Sequence, residues 1–147
     1  MKMTGVPPNG LMVRLYRMGL GLLAGRTILL LTTTGRKTGL PRVTPLQFER
    51  VNGEIVVACG FGAQSDWIRN LRKDPHAQVQ IRMHKFNAVA ELITDPGQIC
   101  SFIELRLKRH PLMVGAILHS KGLPFKPTHK DLLDYSNGLA MAILHRV

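Results

Sequence analysis

The order of hydrophobic and polar positions predicts a helix first and a series of strands after it. Leu11, Leu15, Met18 and Leu22 recur at helical spacing, which predicts an amphipathic helix over residues 11–24. Such a helix either packs on a core or lies on an anionic membrane surface with its arginines at the headgroups. The spacing fits both interpretations.

Strand-like runs come next, at residues 27–34, 42–50 and 54–58. Asn52-Gly53 separates the last two runs, and an Asn-Gly pair in that position is typical of a tight hairpin because both turn residues adopt positive φ. Three antiparallel strands are therefore predicted in sequence.

The second half of the chain predicts helices alternating with strands. The predicted elements are a short helix from Ser65 or Asp66 through Leu71, strands at Ala77–Met83 and Phe86–Ile93 joined by His84-Lys85, a helix from Asp95-Pro96 to about Arg109, an apolar segment at 112–118, a further turn at 131–135, and an apolar run at 139–144. The last run fits a closing strand, although its Ala and Met residues suit a helix nearly as well. The pattern indicates a single α+β domain over residues 1–147, with residues 1–10 as a flexible lead-in and about six mostly antiparallel strands forming a small barrel.

Charge narrows the range of partners. The chain has 20 Lys and Arg against 9 Asp and Glu, a formal net charge of +11. This excess favours nucleic acid, an acidic membrane face or a phosphorylated or polycarboxylate ligand. No nucleic-acid recognition motif is present, so a nucleic-acid partner is not expected.

Cysteine usage and hydropathy indicate the compartment. The chain has two cysteines without paired spacing, so no disulfide framework is predicted. This cysteine usage fits a reducing cytoplasm. No signal peptide is evident, and no apolar run approaches the ~20 residues of a spanning helix. A soluble protein is expected, with possible peripheral contact to the membrane.

Two glycine-bearing segments could bind an anion. The first, Thr32–Arg42, joins two predicted strands through a loop with three cations and several hydroxyls, or is an ordinary solvated turn. The second, Gly60–Pro75, leads from a glycine-rich strand end into a helix start, where backbone N–H groups attract anions. Trp67 in this segment is either a packing residue or the wall of a ring-binding pocket. A phosphorylated aromatic cofactor would suit two such loops on one barrel.

Conventional catalytic patterns are missing from the sequence. The six histidines show no metal-ligand spacing, so no metal site is predicted. Ser65 lacks the setting of a nucleophile elbow. An oxidoreductase remains compatible, because a hydride-transferring cofactor supplies the chemistry itself.

The residues LLTTTGRKTGLPRVTPL (30–46), SDWIRNLRKDP (65–75) and VQI (79–81) resemble the deazaflavin (F420)-dependent nitroreductase and quinone reductase family. The resemblance covers roughly residues 25–95 and implies a split β-barrel of the pyridoxamine-oxidase-like, FMN-binding type. It implies reduced coenzyme F420 as hydride donor, with FMN less likely, and a quinone, nitroaromatic or other activated small molecule as acceptor.

The resemblance also implies positions for the coenzyme. Arg36, Lys37 and Arg42 would lie near its phosphate and acidic tail, with Thr38 nearby. The remaining implied cofactor-binding residues are Pro45 and Leu46 beside the channel, Cys59, Gly60, Phe61, Gly62 and Ala63 along the ring, and Ser65, Trp67 and Asn70 at the helix start.

One region departs from the family. Residues 111–147 contain a single tyrosine, Tyr135. The family's nitroreductases, in contrast, carry a tyrosine-rich C-terminal segment that shapes the substrate pocket. The acceptor is therefore open, as is the alternative of a non-enzymatic binder of a fatty acid or other amphiphile at the membrane. Related barrels commonly pair, so a homodimer is possible.

Overall fold

A closed six-stranded barrel forms the centre of the protein. The computed structural model describes residues 28–59 and 65–147, and the predicted lead-in and first helix lie outside these ranges. The strands follow one another around the barrel in the order β1-β2-β3-β6-β5-β4, and β4 returns to β1. Every neighbouring pair is antiparallel. The described strands are β1 (Ile28–Thr34), β2 (Pro41–Val51), β3 (Glu54–Cys59), β4 (His76–Ile81), β5 (His84–Ile93) and β6 (Ala140–Arg146).

Four helices accompany the strands in the described ranges. They are α1 (Asp66–Lys73), α2 (Pro96–Arg109), α3 (Pro111–Ser120) and α4 (His129–Ser136). This arrangement confirms the predicted α+β barrel. The apolar run at 139–144, which suited either a strand or a helix, is the closing strand β6.

Side chains that alternate along the strands fill the barrel interior. Leu31, Val57 and Val79 are completely buried there, because every second residue of a strand points to the same face. Helix α1 adds Ile68 and Leu71 to the same core. The barrel is thus a packed core, with α1 as part of it.

A second core lies outside the barrel. Val56, Ile93 and Met141 lie on three neighbouring strands and pack with buried residues of α2, α3 and α4. Asp95 caps α2 by accepting a hydrogen bond from the Gln98 N–H, with proline in the first turn, as the Asp95-Pro96 pair predicts. The three C-terminal helices therefore form one layer over one side of the barrel.

Of the two predicted hairpin turns, the structure confirms the first and shows the second at a different position. Asn52 and Gly53 adopt φ of 52° and 82° between β2 and β3, which confirms the Asn-Gly hairpin. The turn between β4 and β5 was predicted at His84-Lys85, and this is wrong: Arg82 and Met83 form it, and His84 already pairs with Ile81.

The reason for the shifted turn is the inward alternation of the two strands. A turn at 82–83 pairs Val79 with Phe86, which keeps the inward positions of β4 and β5 in register. As a consequence of this turn position, Arg82 adopts a left-handed φ of 55°. Register across the sheet prevails over the turn preference of individual residues.

Candidate functional site

The loop between β1 and β2, residues 35–40, has a defined internal structure. The Gly35 N–H donates to the Leu40 carbonyl at 2.8 Å, and the Gly39 N–H donates to the Gly35 carbonyl at 2.8 Å. The Thr38 hydroxyl accepts a hydrogen bond from the Leu40 N–H at 3.2 Å. Gly39 has a φ of 74°, a conformation that glycine adopts without strain. These bonds hold the loop in one compact shape.

Gly35 lies at the tightest point of this loop. A Cβ atom there would be 2.9 Å from the Thr38 hydroxyl, 3.0 Å from the Leu40 carbonyl oxygen and 3.3 Å from Arg42 Nε. The first distance is shorter than real Cβ contacts, and the other two are tighter than nine in ten of them, so a side chain would force the loop to shift. Its missing side chain lets Arg42 lie close to the loop backbone.

Arg36 fastens the loop to α1. Asn70 Oδ1 accepts hydrogen bonds from the Arg36 backbone N–H at 3.1 Å and from Arg36 Nη1 at 2.9 Å. Arg36 Nη2 lies 3.2 Å from Asp66 Oδ1, and Lys73 Nζ donates to the Arg36 carbonyl at 2.8 Å. With its side chain only 17% exposed, Arg36 has most of its hydrogen-bonding capacity used within the protein.

Asn70 ties this contact into the barrel. It is 3% exposed, and its Nδ2 donates to the hydroxyl of buried Thr33 at 3.2 Å. One side chain thereby links α1, the loop and strand β1. We refer to Thr33, Arg36, Asp66, Asn70 and Lys73 as the loop–helix clasp.

The remaining polar residues of the loop face outward. Lys37 and Thr38 are exposed, and Arg42 is half-buried at the start of β2, where it pairs with Thr33. The clasp holds these groups at one end of the barrel. Because Lys37 belongs to a fixed loop and Arg42 to the strand that follows it, the two cations lie on a preorganised backbone.

A groove of about 450 Å³ adjoins the loop on the outer face of the barrel. Its lining includes Thr34, Gly39, Pro41, His76 and Asn87. His76 Nδ1 lies 2.9 Å from Asp74 Oδ1. Hydrogen bonds from the side chain and the backbone of His76 lower the pKa of the Asp74 carboxyl. The groove extends the polar surface of the loop across β4 and β5.

Helix α1 differs from its predicted form in two respects. It extends to Lys73 instead of ending at Leu71, and its N-cap Ser65, one of the two predicted N-cap residues, makes no capping hydrogen bond through its side chain. Trp67 is 5% exposed and packs within the inner core, so the packing alternative for this residue is the one observed.

The structure brings together part of the predicted set of site residues. Arg36, Lys37, Thr38, Arg42 and Asn70 lie at the same end of the barrel. Pro45 and Leu46 lie further along β2, where they pair with Leu30 and Leu29 and are half-buried. Cys59 ends β3 opposite Ala140. Gly60, Phe61, Gly62 and Ala63 lie outside the described residues.

Sequence patterns gave no indication of the clasp or of the groove. Arg36 and Asn70 are separated by 34 positions, and no periodicity or motif links a loop residue to one helical asparagine. The signal that could be read was the polar Asn70 on the otherwise apolar buried face of α1. A polar residue at such a position needs a hydrogen-bond partner.

Fold and loop together define a split-barrel protein with a cationic loop at one end of the barrel, and the comparisons give its family. A family model described as F420H2-dependent quinone reductase matches residues 12–110 of the 147-residue chain. The chain belongs to the F420H2-dependent quinone reductase family. It is an oxidoreductase, and its cofactor is coenzyme F420.

Solved structures with the same fold support this assignment of the architecture. A conserved hypothetical protein of Mycobacterium tuberculosis, Rv2991, is 19% identical, with a TM-score of 0.59 over 86% of this chain and 78% of that one. An F420-H2 dependent reductase (FDR-A) is 20% identical, with a TM-score of 0.56 over 82% and 95%. A putative pyridoxamine 5'-phosphate oxidase of Listeria innocua is 14% identical, with a TM-score of 0.55 over 90% and 93%. Their shared split barrel is the fold predicted from the resemblance.

The described residues fit the coenzyme. Lys37 of the loop and Arg42 of β2 would provide positive charge for a phosphate and an acidic tail, and Gly35 carries no side chain beside them. Among residues 28–59 and 65–147, no helix has the combination of length and apolar character that crossing a membrane requires.

Proposed function

We propose that the protein transfers hydride from reduced coenzyme F420 to a quinone, a nitroaromatic or another activated acceptor. The observation that supports this most directly is the loop–helix clasp, which fixes the 35–40 loop and leaves Lys37 and Arg42 at its outer surface. A fixed cationic loop suits a coenzyme whose far end is anionic. The family match supports the nature of that coenzyme.

Different residues of the loop have different roles in this proposal. Lys37, Thr38 and Arg42 bind the phosphate and the acidic tail, because they are the polar side chains that reach solvent there. Arg36 and Asn70 are positioning residues, because the hydrogen bonds of Arg36 to Asn70 fasten the loop to α1. The tail-binding role predicted for Arg36 thus becomes an indirect one.

The ring of the coenzyme is placed further along the barrel. Pro45, Leu46 and Cys59 of β2 and β3 flank the ring in this proposal. Gly60, Phe61, Gly62 and Ala63, which lie outside the described residues, are assigned to the ring from the family resemblance. Trp67 contributes by anchoring α1 in the inner core, which is what its burial supports. The loop thereby holds one end of the coenzyme while the strands orient the other.

Little acid–base chemistry is required of the chain. The coenzyme supplies the hydride when it is bound, and the protein binds, orients and partly desolvates the reacting centre. The proton that completes reduction of the acceptor comes from solvent or from a hydroxyl close by. This division of labour explains why conventional catalytic motifs are missing from the sequence.

Steady-state turnover tests the acceptor. Purified protein with reduced F420 is given a naphthoquinone or a nitroimidazole, and recovery of the oxidised coenzyme's absorbance is followed. We expect turnover with the quinone at a higher kcat/KM than with the nitro compound, because residues 111–147 lack the tyrosine-rich pattern of the nitroreductases. Coenzyme binding without turnover of any acceptor would contradict the proposed activity.

A charge variant separates binding from chemistry in the same assay. Lys37→Ala is expected to raise the KM for reduced F420 with kcat almost unchanged, because Lys37 contacts the tail and not the ring. Lys85→Ala is the matched control: Lys85 is an exposed lysine of β5 that lies outside the loop. An equal effect of both variants would show that only overall charge matters.

We further propose that residues 1–147 form one domain, which can form a homodimer. This domain works in the cytoplasm, in contact with the inner membrane face where lipid-soluble quinones are found. The net charge of +11 supports attraction to an anionic membrane surface. Flotation with anionic and with neutral liposomes measures this contact. Flotation without any F420 binding would favour the alternative function, a binder of fatty acids or other amphiphiles.

A further inference from the structure

Three metal-ligating side chains meet between α2 and α4, in the helical layer outside the barrel. Cys100 and Glu104 lie four residues apart on α2, so they share one face of that helix. His129 is the first residue of α4. The thiol, a carboxylate oxygen and a ring nitrogen all lie within 4.8 Å of one another.

The distances between these atoms suit a single cation. Cys100 Sγ is 3.9 Å from His129 Nδ1, and His129 Nδ1 is 2.9 Å from Glu104 Oε2. Ligand atoms at tetrahedral zinc bond lengths are separated by roughly 3.3–3.6 Å. Coordination therefore requires Cys100 Sγ to approach His129 Nδ1, and His129 Nδ1 to move away from Glu104 Oε2, by a few tenths of an ångström, while the thiol and the carboxylate, within 4.8 Å of each other, move closer together. Sulfur, imidazole nitrogen and carboxylate oxygen are the donor types that zinc takes in proteins.

Burial gives the cluster an inner and an outer side. The thiol of Cys100 is fully buried, whereas the Glu104 and His129 side chains are 39% and 68% exposed. A cation reaching the cluster would meet the two exposed ligands first and then the thiol.

The charges of the cluster also balance a divalent cation. A metal-bound cysteine is a thiolate, so cation binding releases the thiol proton to solvent. The Cys100 thiolate and the Glu104 carboxylate then together neutralise a charge of +2.

We propose that Cys100, Glu104 and His129 bind a zinc-type divalent cation that pins α4 to α2. Cys100 and His129 are separated by 29 positions along the chain, which explains why ligand spacing in the sequence predicted no metal site. The cation stabilises the outer helical layer, a role that is independent of F420 chemistry.

Cobalt titration of the full-length, chelator-treated protein tests this directly. Co²⁺ is expected to bind with 1:1 stoichiometry, giving a thiolate-to-metal charge-transfer band in the near ultraviolet, and Zn²⁺ is expected to abolish the band by competition. Cys100→Ser should remove the band. Cys59→Ser, at the chain's other cysteine, should leave it intact.

Surface variants keep the test valid if the buried substitution prevents folding. His129→Gln and Glu104→Gln should each weaken Co²⁺ binding by roughly tenfold or more, because even indirect partners of a ligand are worth that much. His84→Gln is the control at an exposed histidine outside the cluster. Zn²⁺ should raise the thermal midpoint of the unmodified protein and leave that of His129→Gln unchanged. No charge-transfer band, or a band that persists in Cys100→Ser, would overturn the proposal.

Discussion

Gly35 shows how the absence of a single carbon atom shapes the cofactor loop. The position carries no unusual φ, so conformational freedom is not what requires glycine there. The requirement is steric: the Thr38 hydroxyl and the Leu40 carbonyl occupy the volume of a side chain. The compact turn that results lets the Arg42 side chain lie close to Gly35.

Gly35→Ala is therefore expected to open the loop. We expect an overpacking cost of roughly 1–3 kcal/mol in the free energy of unfolding, together with weaker F420 binding. Urea denaturation and a coenzyme titration measure the two effects. Gly115→Ala is the matched control, because the nearest atom to its new Cβ is 3.9 Å away, and in α3 the change should stabilise by about 0.5–1 kcal/mol. If Gly35→Ala changes neither the free energy of unfolding nor F420 binding, the loop can accommodate a side chain at this position and the steric requirement for glycine is wrong.

Asn70 acts at the scale of elements, since it joins α1, β1 and the loop. Removing its amide leaves the Thr33 hydroxyl and the Arg36 backbone N–H without the hydrogen bonds that they make to it. Unsatisfied buried polar groups cost more than the bond itself contributes.

For Asn70→Ala we expect a loss of roughly 1–3 kcal/mol in unfolding free energy, measured by urea denaturation. Faster amide exchange in residues 35–40 should accompany it, because the loop loses its anchor on α1. Asn87→Ala, at an exposed asparagine of β5, should change stability by less than about 0.5 kcal/mol. Equal losses in the two variants would refute the anchoring role.

Local patterns identified most of the elements, and the reasons for the failures are physical. The Asn52-Gly53 turn, the Asp95-Pro96 helix start and the alternation of β4 are encoded in adjacent residues, so they could be predicted. The turn at Arg82-Met83 depends on register between two strands and not on turn residues. The loop itself was found from its composition, but the clasp that fixes it joins positions more than 30 residues apart.

At the scale of the molecule, one buried carboxylate joins the helical layer to the barrel. Glu49 of β2 is 7% exposed and contacts Arg106 at 3.3 Å, Arg109 at 3.2 Å and His110 at 3.0 Å. These three partners lie at the end of α2. The network aligns α2, and through it the outer core, with the strands.

Glu49→Gln is expected to destabilise the protein by about 3 kcal/mol, because it leaves two arginines without their carboxylate in a partly buried site. Thermal or urea unfolding measures this loss. Glu91→Gln is the control, since Glu91 pairs with His145 at a site where its side chain is 57% exposed, and such pairs contribute less than about 1 kcal/mol. If the two variants lose the same amount, Glu49 is not the link between layers.

The central claim is that the clasped loop binds the anionic end of coenzyme F420, and a fluorescence titration of the purified protein with oxidised F420 tests it most directly. We expect saturable binding that weakens at high salt and is at least about tenfold weaker in the double variant Lys37→Ala/Arg42→Ala, because two charged contacts are lost. Lys85→Ala should bind like the unmodified protein. Saturable binding that the double variant leaves unchanged would contradict the assignment of the loop, and no binding at all would contradict the proposed reductase activity.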